Sequence, residues 1–99
     1  MTFTLTDVAS AKNMIDAPMT GPVKFVSRLL VGTEDIAIVV TPGSIRLFVD
    51  EAEVRAGAQW NYVTQYASKI FEQVEANFAR GSEQVAIIGR WLRIAGLEG

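Results

Sequence analysis

Between Val23 and Val49 the chain passes through three short apolar stretches separated by two turn signals, and that spacing leaves few folds open. From Val23 to Val31, the residues Val23, Phe25, Leu29 and Val31 share one side of an extended chain, with Lys24, Val26, Arg28 and Leu30 on the other. Such a period of two describes a strand with one buried face. Gly32-Thr33-Glu34-Asp35 reads as a polar turn, and Ile36 to Val40 is a continuous, largely β-branched run suited to a central strand. Thr41-Pro42-Gly43-Ser44 places Pro and Gly at the two central positions of a turn, as type II geometry requires. Ile45 to Val49 then completes a three-stranded antiparallel meander.

A helix is expected to follow. Asp50 with Glu53 three residues on has the form of a capping box, and the acidic cluster Asp50, Glu51, Glu53 complements the positive end of a helix dipole. Trp60, Val63, Ala67, Ile70, Val74 and Phe78 recur at helical spacing, with Tyr66 and Phe71 widening the stripe. Gly57 is positioned to break or kink this helix near its start, and Arg80-Gly81 to end it. The long amphipathic helix should cover one face of the meander. The expected core is Phe25, Leu29, Ile36, Ile38, Val40, Leu47, Val49, Val63, Ala67, Ile70 and Val74.

The ends are less constrained. Phe3 and Leu5 alternate with Thr2, Thr4 and Thr6, a short strand signal, after which Asp7 could cap a short helix reaching Asp16. Ser82 to Leu97 supports two readings. As a helix capped by Ser82, it gathers Ile87, Ile88, Trp91, Leu92, Ile94 and Ala95 on one broad face; as a strand, Val85 to Ile88 could pair with the N-terminal strand. The strand reading extends the meander to a β-α-β-β-α-β order, the ferredoxin-like layout, which as an analogy of layout carries no function. Either way the chain reads as one α+β domain over residues 1–99.

Composition excludes much chemistry. The chain has no Cys and no His, which removes disulfides, thiolate nucleophiles, the usual general base and the commonest metal ligand. No metal and no other cofactor is expected, and no catalytic residue stands out. Glu34-Asp35 reads as a solvated turn, and Asp50, Glu51 and Glu53 as helix caps, more simply than either reads as a cation site. Nine Lys plus Arg against eleven Asp plus Glu leave a net charge of −2, so no broad positive field exists to hold phosphate backbones, and nucleic acid is not an expected partner. Arg90, Trp91 and Arg93 within one turn do not outweigh that balance. Lys24, Arg28, Glu34, Asp35 and Arg46 interrupt the most hydrophobic stretch, which argues against a membrane span. The N-terminal residues lack the basic and apolar runs of a signal peptide, so the cytoplasm is the expected compartment.

Two sets of candidate site residues remain. Trp60, Tyr62, Tyr66 and Trp91 could line a pocket for a planar ligand, although core packing is the simpler use of such a set. Phe78, Ile87, Trp91, Leu92 and Ile94 are more apolar surface than so small a domain buries easily, and are the expected contact residues of a dimer. Charge is also segregated along the chain: residues 34–53 hold five acidic residues and one Arg, and residues 80–93 hold three Arg and one Glu. The resulting expectation is a non-catalytic interaction module, a homodimeric adaptor or inhibitor-type protein whose partner is itself or another protein. The alternative is a small-molecule binding domain, or a cofactor-free enzyme of the dimeric ferredoxin-like type with an aromatic-lined pocket.

Overall fold

A computed structural model of the chain describes residues 4–19 and 21–98. Helix α1 (Leu5–Asp16) precedes strands β1 (Phe25–Val31), β2 (Glu34–Thr41), β3 (Ser44–Val49) and β4 (Ala52–Glu53), which are followed by helices α2 (Ala58–Asn77) and α3 (Glu83–Glu98). The strands form one antiparallel sheet in the order β1-β2-β3-β4. Pairing of Leu29 with Ile36, and of Ile36 with Val49, puts the apolar residues of three strands on a common face. Against that face lie the helices, with α2 packed on β1 and α3, and α1 packed on β3, α2 and α3. The protein is therefore a two-layer α+β sandwich whose helices cover one side of the sheet.

The core lies between the layers. Leu29, Ile36, Ile38, Val40, Leu47, Val63, Ala67, Ile70 and Val74 are buried as expected, whereas Phe25 and Val49 are half-buried at its margin. The last segment is a helix, so a ferredoxin-like sheet has no final strand here. Ser82 caps α3 by accepting the Val85 N–H, and Ile88, Leu92, Ile94 and Ala95 are buried at helical spacing. Gly89 is what lets α3 approach α2 closely, because a Cβ at this position would lie 3.2 Å from the Phe71 ring. A polar anchor joins the layers: the buried Ser27 hydroxyl donates to Gln84 Oε1 at 2.9 Å.

Several local expectations are corrected. Leu5 and Thr6 belong to α1 rather than to a strand; Thr2 and Phe3 lie outside the described residues. The cap is Thr4, whose side chain accepts the Asp7 N–H while the Asp7 carboxylate accepts the Thr4 N–H, a reciprocal capping box that places Asp7 inside the helix. Asp50 and Glu51 do not start α2. Both take positive φ, 50° and 70°, the pair of left-handed residues that a tight two-residue hairpin uses, here between the paired residues Val49 and Ala52. The helix begins only after Gly57, at φ 87°. Glu34 and Asp35 lie in β2 rather than in the preceding turn, which is reduced to Gly32-Thr33. Gly43 is not among the glycines of positive φ, so the Pro42-Gly43 turn is not type II. It is braced instead by Thr41, whose hydroxyl accepts the Ser44 N–H at 3.1 Å and lies 2.8 Å from the Ser44 hydroxyl.

Because β4 is so short, the upper edge of β3 would leave backbone groups unpaired in the interior. Gln59 and Val54 finish that edge. The Gln59 side-chain oxygen accepts the Leu47 N–H at 3.0 Å, and the Val54 N–H donates to the Leu47 carbonyl at 3.0 Å.

Candidate functional site

The open side of the sheet carries an apolar patch with charges at its borders. Strand alternation turns Val26, Arg28 and Leu30 of β1, Asp35, Ala37 and Val39 of β2, and Arg46 and Phe48 of β3 away from the helices. Val26 is 46% and Leu30 57% exposed, high values for large apolar side chains. Registration aligns Arg28, Ala37, Phe48 and Glu53 in one row across the four strands, and Val26, Val39 and Arg46 in the next. A shallow depression of about 330 Å³ lies over Ala37, Val39 and Phe48, with Arg28, Asp35 and Glu51 also lining it. Arg46 is already engaged. It pairs with Glu53 and donates to the Ala17 carbonyl at 2.6 Å, which fastens the end of α1 to β4.

A second concavity lies in the helix layer. Residues of α1 and α3, with Lys24 and the end of β2, enclose a cleft of about 500 Å³. Met14, Val40, Ile87 and Trp91 contribute apolar surface to it, and Asp7, Lys24 and Arg90 charge. Hydrogen bonds from the Thr4 N–H and, second, the Thr4 hydroxyl hold the Asp7 carboxyl below the usual carboxylate range.

The four aromatic residues singled out from the sequence do not form one pocket. Trp60 is buried in the core with its indole N–H unpaired. Tyr62 and Tyr66 form a tilted pair with ring centroids 4.7 Å apart, and Trp91 lies at the α1–α3 cleft. Of the residues expected at a dimer contact, Leu92 and Ile94 are buried within the chain's own core, while Phe78, Ile87 and Trp91 are half-buried against it. Ile87, Trp91 and Ile94 also line the α1–α3 cleft. The sequence reading missed the open sheet face, although Val26 and Leu30 on the side of β1 opposite its buried face were its signal. It also missed Arg90 and Asp7 as neighbours across the cleft.

Glu34 projects to the Tyr pair, and the Tyr62 hydroxyl donates to its carboxylate at 3.2 Å. Burial first, then this hydrogen bond and the Glu34 charge, push the Tyr62 phenol up to about 12 from its ordinary 10.0. The folded state thus keeps a proton that the unfolded chain releases near 10, so stability from this group is fully present below that pH and is lost as pH rises through about 12. A phenolate absorbance titration should show a late step from Tyr62, absent in Tyr62→Phe. In Glu34→Gln it should shift down without reaching the ordinary value, since burial remains. An unmoved late titration in Glu34→Gln would contradict the assignment.

Among the described residues no group of three acidic side chains is arranged to hold a metal ion, and no helix is long and apolar enough to cross a membrane. No protein-family model, curated protein or solved structure matches the chain.

Proposed function

We propose that the protein is a non-catalytic interaction module that acts as a homodimer, with the open sheet face as its self-association surface. The observation that carries this reading is the apolar patch of Val26, Leu30, Ala37, Val39 and Phe48 on a sheet covered by helices on its other side only. An uncovered sheet face with this composition gains from burial against a like face.

Charge selects the symmetry. Arg28 lies on the β1 side of the patch, and Glu51 on the β3–β4 side. A two-fold axis parallel to the strands, between two stacked sheets, brings the β1 side of each copy over the β4 side of the other, so that Arg28 lies over the Glu53 row and, with Glu53 taken by Arg46, reaches toward Glu51 two positions along, twice per dimer. An axis across the strands would stack Arg28 over Arg28. Pairing of two β1 edges centred on Arg28, the middle residue of Phe25–Val31, would also set like charges opposite each other. Stacking of the faces is the arrangement that both the apolar surface and the charges favour.

Size sets the strength. With strands about 4.8 Å apart and about 3.3 Å of rise per residue, the face measures on the order of 400 Å² per copy, about half the ~800 Å² per partner of a standard stable interface. An interface of that size suits a reversible dimer, available for exchange with another partner. A cysteine-free chain of this kind suits the reducing cytoplasm. Sedimentation across the micromolar range should show the mass rising from 10.8 kDa toward twice that value. Leu30→Glu, at an exposed position, should remain a folded monomer. A wild-type chain monomeric throughout, or a Leu30→Glu dimer of undiminished affinity, would overturn the proposal.

A further inference from the structure

We infer that the cleft between α1 and α3 binds a small aromatic carboxylate. Its volume of about 500 Å³ falls within the ~300–1,000 Å³ typical of small-molecule sites. Apolar surface from Met14, Val40, Ile87 and Trp91 meets a charged mouth, the division that an apolar ligand body with one polar head requires. The half-buried Trp91 indole offers a flat face, and Met14 a polarisable thioether, both suited to an aromatic ring.

The mouth specifies the head group. Lys24 is already paired, its Nζ 2.6 Å from Glu83 Oε1. Asp7 is turned back onto Thr4, accepting from its N–H at 3.1 Å and its hydroxyl at 3.0 Å. Arg90 makes no ion pair or side-chain hydrogen bond with any described residue. A planar guanidinium that makes no hydrogen bond with the described residues, and whose charge otherwise acts on the Asp7 carboxylate across the cleft, matches a ligand carboxylate in two-pronged geometry. A phosphate dianion fits less well, because one free cation would have to balance two charges near the Asp7 carboxylate. Since the cleft belongs to the helix layer, ligand binding there is independent of dimerisation through the opposite side of the sheet.

Calorimetry with 1-naphthoate and its neutral analogue 1-naphthalenemethanol tests the site, together with the two tryptophan indole N–H signals in ¹H–¹⁵N spectra. Naphthoate should bind one per chain and shift the Trp91 signal, identified by its absence in Trp91→Phe, while the Trp60 signal stays in place. Arg90→Gln, an exposed change on α3, should weaken naphthoate at least about fivefold, the loss of a charge-assisted contact, and leave naphthalenemethanol unaffected. The Leu30→Glu chain should bind naphthoate with wild-type affinity, which separates this inference from the dimer. Equal naphthoate binding by Arg90→Gln, an unmoved Trp91 signal, or binding that disappears as protein concentration rises because a second copy fills the cleft would each overturn it.

Discussion

Replacing Ile70 by Ala should lower the unfolding free energy by about 2–5 kcal/mol, the usual range for deleting a buried aliphatic side chain. Ile70 is 0% exposed and lies within α2, between the sheet and α3, where no mobile loop can collapse into the space left behind. The loss combines the transfer of the removed atoms with a cavity that the rigid two-layer packing cannot close. Ile70→Val should cost only about 0.5–1.5 kcal/mol. Denaturant unfolding should show a lower midpoint with an unchanged slope, because the surface exposed on unfolding is nearly the same. An Ile70→Ala midpoint close to wild type would mean that α2 does not present this face to the core.

Gln59→Leu should cost about 1–3 kcal/mol, although it puts a hydrophobic residue of similar size into a fully buried position. The Gln59 side-chain oxygen is the partner of the Leu47 N–H, and removing it strands a backbone donor in the interior of the sheet edge. Some of the cost is offset, because the Gln59 amide nitrogen is itself buried without a partner and leaves with the side chain. Amide exchange separates the two contributions: the Leu47 N–H should lose protection selectively in Gln59→Leu. Full protection of that amide together with wild-type stability would contradict the role assigned to Gln59.

The sheet and α2 were legible because alternation, turn residues and the helical stripe agree over long windows. From Ile36 to Val49 the apolar runs fit only strands, and Trp60 to Val74 only a helix. Legibility fails where one residue type serves two geometries. Asp50 and Glu51 suit a helix N-terminus, but acidic residues also occur in left-handed turns, and the choice is made by β4 pairing back on β3. At the other end, five residues from Thr2 to Thr6 are too few to separate strand alternation from the Thr4–Asp7 capping box. The α1–α3 cleft was hidden for a different reason: Asp7 and Arg90 meet only because α1 and α3, at opposite ends of the sequence, pack against each other. The open face was half visible in Val26 and Leu30, but its partners Val39 and Phe48 join it through strand register, which depends on turn lengths that the sequence left at Glu34-Asp35 one residue pair too long.

The stacked-face homodimer is tested most directly by exchanging its two proposed charges. Arg28→Glu and Glu51→Arg each place like charges opposite one another twice per dimer, so each single variant should sediment as a monomer at concentrations where the wild type associates. The double variant Arg28→Glu/Glu51→Arg restores both pairs with their signs reversed and should associate again with near wild-type affinity. A double variant that stays monomeric while remaining folded, or single variants that dimerise as well as the wild type, would contradict the account.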